Sequence, residues 1–214
     1  QTQEFSATVV QCYGLSMTVD KITDTAKPGD SSDFTFTVSN DGNGEDTVTV
    51  VLEMSNPVSN PILSESSLTI ASGATGQTVV TMTVPSDAQA VSTDPDSFTI
   101  MVHSYSEICG SDLTTDCIHH AMAPASTLTT GQVFDVSAEY RNSSMATASV
   151  TQGMQLQLFV NVTNNGNGFD NIDVELVNAP SWASLSQTTV LAGPGQSFTI
   201  GIDLYAPVSD TLGA

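Results

Sequence analysis

The chain of 214 residues carries 23 Asp or Glu against three Lys or Arg, which gives a formal net charge of −20. Such a surface repels nucleic-acid phosphates and anionic lipid headgroups, so nucleic acid is excluded as an expected partner. Hydrophobic residues make up 39% of the sequence, enough for one large core or two modest ones. No stretch approaches the ~20 apolar residues of a membrane helix, so we expect no membrane insertion.

Residues 1–13 read as a short N-terminal strand. Phe5, Ala7 and Val9 occupy alternate positions, which is the period of a half-buried strand, and Tyr13-Gly14 ends the run. The chain starts at Gln1, and we expect a mature extracellular or cell-surface protein whose signal peptide has been removed.

Residues 14–107 are predicted to form a first sandwich domain around one loop. The sequence Asn40-Asp-Gly-Asn-Gly-Glu-Asp46 lies between two alternating apolar runs, so it reads as strand, tight loop, strand. Further alternating runs follow, and Phe98, Ile100 and Val102 form the last predicted strand of this domain.

Residues 108–132 interrupt the rhythm and are predicted to be a linker held by a local disulfide between Cys109 and Cys117. Cys12 is then unpaired or bonded to another chain, and its pairing with one of the other two cysteines stays open. His119 and His120 could bind a metal with Asp112 or Asp116, but adjacent side chains on a strand or loop point apart.

Residues 133–214 repeat the plan and are predicted to form a second, incomplete sandwich. Asn164-Asn-Gly-Asn-Gly-Phe-Asp170 matches the first loop 124 positions later. Trp182 has no partner in the first repeat, and we interpret it as a core or lid residue in preference to a sugar-stacking platform.

These short, regularly spaced strands with Gly/Pro turns predict an all-β fold of two immunoglobulin-like β-sandwich domains in tandem. The loop and its flanking runs resemble the cell-adhesion-related or NEW3-like repeats of archaeal and bacterial surface proteins over about 80 residues of each repeat. That resemblance implies an architecture and an exterior location but no single activity, and an archaeon of a saline habitat fits the acidity.

The second repeat stops before a strand equivalent to the one at Phe98, whereas a spare strand precedes the first repeat. We therefore predict a structural subunit of an extracellular filament or surface layer. It would polymerise head to tail, with Phe5, Ala7 and Val9 completing the C-terminal domain of the next copy. The alternative is an adhesion or carbohydrate-binding segment of a larger multi-domain surface protein; a noncatalytic accessory region of a secreted hydrolase is a third.

No catalytic motif or paired-carboxylate arrangement is recognisable, so no enzyme and no cofactor is predicted. Calcium is the one plausible ligand, because oxygen donors alternate in the first loop at Asp41, Asn43, Glu45 and Asp46. The second loop replaces them with Asn165, Asn167 and Phe169 and keeps Asp170, which favours a hairpin device over a metal site. Asn142 and Asn161 lie in N-glycosylation sequons and are candidate glycan sites.

Overall fold

A computed structural model describes residues 3–54, 60–91, 94–110, 113–114, 118–141 and 147–208. Within these ranges the chain is built of β-strands, with one 3-10 turn over Glu107–Cys109, so the all-β prediction is confirmed. It forms two compact units. Unit 1 comprises Gln1–Ala88 and Asp96–Gly131, and unit 2 comprises Gln89–Pro95 and Gln132–Ala214.

Unit 1 is a sandwich of two sheets. The strands are β1 (Leu15–Val19), β2 (Thr23–Ala26), β3 (Ser31–Asn40), β4 (Asp46–Met54), β5 (Ile62–Leu63), β6 (Ser67–Ile70), β7 (Thr75–Thr83), β8 (Ser97–Ser106), β9 (His120–Met122) and β10 (Ser126–Thr130). One sheet has the order β1-β3-β7-β5, and the other has the order β2-β10-β8-β4-β6 with β9 beside β8.

The core of unit 1 follows from period-two alternation. In β3 the side chains of Phe34, Phe36 and Val38 point inward and are fully buried, whereas the residues between them are not. β4, β7 and β8 contribute matching inward rows, so side chains of the two sheets interlock in one cluster.

The predicted linker 108–132 is corrected by the structure. β9 and β10 lie inside this range, and both pair antiparallel with β8. β10 also pairs parallel with β2. β10 was not recognised from its sequence, Ser-Thr-Leu-Thr-Thr, because most of its residues carry hydroxyl groups. Nevertheless, Ser126, Leu128 and Thr130 are buried at alternate positions.

Unit 2 contains β11 (Val136–Tyr140), β12 (Gln155–Asn164), β13 (Asp170–Asp173), β14 (Ala183–Leu185), β15 (Thr189–Ala192) and β16 (Ser197–Tyr205). Four of these strands form a sheet with the order β11-β12-β16-β14, and β13 and β15 form a two-stranded sheet. Compared with unit 1, the first sheet has all four strands, and the described strands of the second are the equivalents of β4 and β6. No described helix has the length and apolar character needed to cross a membrane.

A polar cluster fixes the start of β2 in unit 1. Lys21 Nζ donates to Asp24 Oδ2 at 2.6 Å and to Ser32 Oγ at 3.0 Å, and Ser32 Oγ also donates to Asp24. The hydrogen bonds from Lys21, Ser32 and the Thr25 N–H lower the pKa of Asp24 from 3.8 to about 2.

Candidate assembly site

The N-terminal segment, defined as residues 3–10, carries apolar side chains that its own chain does not cover. Phe5 is 92% exposed, Val9 is 86% exposed and Val10 is 74% exposed, and Ala7 is exposed as well. The sequence predicts a strand here, but the segment forms none, because no described strand pairs with it. The alternating pattern is therefore present without its sheet.

The loop between β3 and β4 holds the chain just after this segment. Asn43 Oδ1 accepts a hydrogen bond from Cys12 N at 2.7 Å, and Asn43 Nδ2 donates to Val10 O at 3.0 Å. Asn43 N also donates to Cys12 O at 3.2 Å, and Gln11 Nε2 donates to Glu45 O at 2.9 Å. The loop therefore binds the backbone of residues 10–12 of the same chain, and we call this arrangement the clamp.

Asn40 and Gly42 give this clamp its shape. Asn40 is 1% exposed, and its Nδ2 donates to Gly44 O and Ile70 O, both at 2.8 Å. Its Oδ1 accepts from Gly42 N at 2.9 Å, which closes the loop on itself. A side chain at Gly42 would overlap the backbone oxygen of Cys12, so the close approach of the incoming chain requires glycine there.

Unit 2 repeats most of the clamp's hydrogen bonds. Asn167 Oδ1 accepts from Val133 N at 2.7 Å, and Gln132 Nε2 donates to Phe169 O at 2.8 Å. Asn164 Nδ2 donates to Gly168 O and Ala192 O, both at 2.9 Å. Gln11 and Cys12 of unit 1 therefore correspond to Gln132 and Val133 of unit 2.

This correspondence identifies the counterpart of the N-terminal segment. Gln11 and Gln132 are 121 positions apart, and the same spacing places residues 5–9 on Ser126–Thr130, which is β10. The alternation is also in phase. Phe5, Ala7 and Val9 fall on Ser126, Leu128 and Thr130, the three residues of β10 whose side chains are buried. By position and by pattern, residues 5–9 are equivalent to a closing strand.

Unit 2 has an inner face that is incompletely covered. In unit 1, β1 places Met17 in the core at 7% exposure, with Leu15 and Val19 packed against the same cluster. In β11 the residues on the corresponding face are Val136, Ala138 and Tyr140; Val136 and Tyr140 are 43% and 58% exposed, and Ala138 is exposed as well. Similarly, β12 has Leu158 and Val160 half-buried where β3 has two fully buried phenylalanines.

β13 is shorter than β4, and it ends where no described strand takes the place of β8. β4 has nine residues and pairs with β6 over residues 46–49 and with β8 over residues 48–54. β13 has four residues and pairs with β15 over that same first stretch. Residues 174–177 keep the strand alternation, but no described strand of unit 2 takes the place of β8, and the ladder ends.

Of the four proposed calcium ligands, Asn43 and Asp46 make side-chain hydrogen bonds within the chain, and Asp41 and Glu45 are exposed. The Asn43 amide is bonded to the backbone of Val10 and Cys12, and Asp46 is 1% exposed with its Oδ1 accepting from Glu107 N. Asp41 and Glu45 are exposed. Among the described residues no group of three His, Cys, Asp or Glu is placed to hold a metal ion. Calcium stays a sequence prediction.

Of the cysteines of unit 1, Cys12 contributes its backbone to the clamp, whereas Cys109 lies in the 3-10 turn after β8. Cys109 is disulfide-bonded, whereas Cys12 is a free, exposed thiol; Cys117 lies outside the described residues. His120 stacks on Tyr105 at 5.6 Å between ring centroids, and His119 lies 5.9 Å from the ring of Tyr13. Asp112 and Asp116, the candidate ligands for these histidines, are also outside the described residues.

One of the two N-glycosylation sequons lies within the described residues. Asn142 lies outside the described residues. Asn161 lies in β12, half-buried, and its Oδ1 accepts from Thr199 Oγ1 at 2.8 Å on the outer face of the sheet. Trp182 is half-buried beside β14, and its backbone oxygen accepts from Tyr205 N at 3.0 Å.

No protein-family model matches the chain, and no curated protein matches it. Among solved structures, it is similar to the E. coli chaperone DraB, with 8% identity, a TM-score of 0.34, and coverage of 92% of this chain and 87% of that one. It is similar to the D0-D1 domain of intimin, with 13% identity, a TM-score of 0.32, and coverage of 89% and 83%. It is also similar to a chain in the chaperone–tip adhesin complex of CFA/I fimbriae, with 12% identity, a TM-score of 0.33, and coverage of 86% of this chain and 84% of that one. Similarity at this level carries no argument about function.

Proposed function

We propose that the chain is a noncatalytic structural module of an extracellular filament or surface layer. Its residues 5–9 would supply the closing strand of a neighbouring sandwich unit. The observation that carries the proposal is the equivalence of these residues to β10, in position and in phase. A segment with exposed apolar side chains on one molecule and an uncovered sandwich face on another are complementary surfaces.

The energetics favour such a joint. Phe5 and Val9 are almost fully exposed, and burying each would contribute about 1.5–3 kcal/mol before the cost of ordering the segment. The clamp reduces that ordering cost, because it already fixes Val10 and Cys12. Donor and acceptor are different surfaces, so repeated contacts of this kind generate an open, head-to-tail assembly.

A second arrangement is supported by the same equivalence. In a longer array of such units within one chain, residues 5–9 would close the preceding unit of the same chain, as β10 closes unit 1. The module would then be an adhesion or scaffold segment of a multi-domain surface protein. The two arrangements differ in whether the joint is intermolecular.

Self-association of the full chain tests the proposal. We expect concentration-dependent oligomers in the wild type, measured by light scattering and electron microscopy, and their loss in the double variant Phe5→Asp/Val9→Asp. The matched control is Ser6→Asp/Thr8→Asp, which adds the same charge at the alternate positions and keeps the apolar row. Association that is equal in both variants would contradict the proposal.

A further inference from the structure

The outer face of the second sheet of unit 1 brings one histidine, two methionines and one glutamate together. Val102 points into the core from β8 and is fully buried, so its neighbours Met101 and His103 point to the opposite face. Residues that pair across antiparallel strands share a face. The pairs His103–Met122 and Met101–Glu53 therefore place all four side chains on the outer face of the sheet.

His103 lies at the base of this group with its ring nitrogens unpaired. The residue is 5% exposed, and neither ring nitrogen has a hydrogen-bond partner among the described residues. A buried polar group without a partner costs free energy, and in a native structure it calls for an explanation. Tyr105 stacks on the imidazole with 6.1 Å between ring centroids, which restricts the orientation of the ring. The fold therefore holds an unsatisfied imidazole at a fixed place.

Glu53 is the nearest carboxylate to this imidazole. Its Oε2 lies 3.3 Å from His103 Nε2, but the contact does not have the geometry of a hydrogen bond. Two atoms that bind one tetrahedral metal ion at about 2.0–2.1 Å are separated by about 3.3 Å. The Glu53 side chain is 62% exposed, so the carboxylate is open to solvent. The distance therefore suits two groups that lie beside one cation.

The two methionines determine which kind of cation the group prefers. Met122 lies directly opposite His103 and is 52% exposed, and Met101 is half-buried two positions before His103. Cβ atoms of opposite residues are about 4.5–5.5 Å apart, which is within reach of a flexible methionine side chain. Thioether sulfur selects soft cations such as Cu(I), whereas Ca²⁺ and Mg²⁺ take oxygen ligands. One imidazole and two thioethers therefore point to a soft cation.

We propose that His103, Met101 and Met122 form a binding site for Cu(I). The ligands are His103 Nε2 and the two thioether sulfurs, and the Glu53 carboxylate lies beside the ion and balances its charge. Met122 and Glu53 are exposed, so an ion reaches the buried imidazole by displacing these two side chains. The proposal does not depend on the proposed function, because none of these residues belongs to residues 5–9 or to the clamp.

The acidity of the chain decides how the site has to be tested. A net charge of −20 attracts cations of every kind to the surface. Binding by scattered carboxylates does not depend on sulfur, whereas binding at the proposed site does. Removing one sulfur atom while keeping the shape of the side chain therefore separates the two.

Competition for Cu(I) with the chromophoric chelator bicinchoninate provides this test. The full chain carries Cys12→Ser, since the free thiol would bind Cu(I) on its own, and ascorbate serves as the reductant because it leaves the disulfide of Cys109 intact. We expect one bound equivalent, and at least about tenfold weaker affinity in Met122→Leu. Met154→Leu is the matched control, because Met154 is 59% exposed in unit 2, and its affinity should equal that of the parent.

Nuclear magnetic resonance with Ag⁺, a soft cation that does not change its oxidation state, locates the ion. We expect the methyl signals of Met101 and Met122 and the ring signals of His103 to shift together up to one equivalent. The methyl signal of Met154 should stay in place. Unchanged signals of the core methyl groups in Met122→Leu would show that this variant is folded.

Glu53→Gln distinguishes a soft cation from a hard one. We expect a smaller loss of affinity than in Met122→Leu. If Glu53→Gln removes binding and Met122→Leu does not, the cation is held by carboxylates and the inference is wrong. Equal affinity of Met122→Leu and Met154→Leu overturns it as well, and so does a chain that does not bind Cu(I). None of these results bears on the proposed function, whose test is self-association.

Discussion

Asn43 Oδ1 lies 2.7 Å from the backbone nitrogen of Cys12 and accepts its hydrogen bond, although the two residues are 31 positions apart. The equivalent pair in unit 2, Asn167 and Val133, has the same bond at the same distance. In both units an asparagine of the loop binds the backbone of an earlier segment of the same chain. This explains why the loop keeps its Asn-Gly pattern while its acidic residues differ. The loop therefore binds the backbone of the segment that precedes each unit's first strand.

Asn43→Ala should release the chain around Cys12 without unfolding unit 1. The loss of about 1 kcal/mol per hydrogen bond should raise hydrogen exchange of the Cys12 amide about 5- to 10-fold. Asn43→Asp is the matched control, because it keeps the Oδ1 acceptor for Cys12 and loses only the donor to Val10 O. Equal exchange rates in the two variants would show that the clamp bond is not what protects Cys12.

Asn40→Asp should destabilise unit 1 strongly. The new carboxylate would face Gly44 O and Ile70 O, each 2.8 Å from the present amide nitrogen, in a fully buried position. We expect a loss of about 3 kcal/mol near neutral pH, measured as a shift in denaturant midpoint. The loss should shrink at acidic pH, because a protonated carboxyl can donate one of the two bonds. Asn165→Asp, on the exposed side of the second loop, should change stability little.

Gly42→Ala should displace the incoming chain, since the added carbon overlaps the Cys12 oxygen. Gly14→Ala is the control, because its added carbon would meet Asp41 atoms at ordinary contact distances of 3.5 Å. We expect faster reaction of the Cys12 thiol with a maleimide reagent only if the chain moves, so Gly42→Ala should change the rate and Gly14→Ala should not. A change of the same size in both would refute the close-approach argument.

Val50 and Val174 occupy equivalent positions in environments that differ in completeness. Val50 is 3% exposed in the core of unit 1, whereas Val174 is half-buried. Val50→Ala should cost about 2 kcal/mol, and Val174→Ala under about 1 kcal/mol, because little cavity forms at an open site. Calorimetry of the two variants checks this. Equal costs would mean that unit 2 is better covered than its exposed inner face indicates.

Asp24 should make unit 1 sensitive to acid. Its pKa is lowered to about 2 from 3.8, so its contribution is fully present above pH ~4 and is lost as pH falls towards about 2. The group is 37% exposed, and solvent screening reduces the effect. Asp24→Asn should lower the melting temperature of unit 1 at pH 6 and close the gap to the wild type near pH 2. A constant difference across this range would contradict the linkage.

Period-two alternation made the long strands predictable, because β3, β4, β7 and β8 each bury one apolar row. β10 was not predictable in this way, since its inward row includes Ser126 and Thr130. Residues 174–177 keep the alternation of a strand, but β13 ends at Asp173, because pairing depends on a neighbour that the sequence pattern does not reveal.

The clamp could be located from sequence but not understood. Its loop is recognisable as a repeat, whereas the backbone that the loop binds lies 31 residues earlier in the chain. One signal was present: Gln11 and Gln132 precede the two loops and contact them in the same way. Aligning the repeats on these glutamines, and not only on the loops, places residues 5–9 on β10.

The scarcity of basic residues limits where trypsin can cut. Lys27 precedes Pro28, a bond that trypsin leaves intact, so cleavage is confined to Lys21 and Arg141. Lys21 is hydrogen-bonded to Asp24 and Ser32, whereas Arg141 follows β11, which is an edge strand of the four-stranded sheet of unit 2. Limited digestion therefore reports on the two units separately, and protection at Arg141 alone would signal that this edge of unit 2 has been covered.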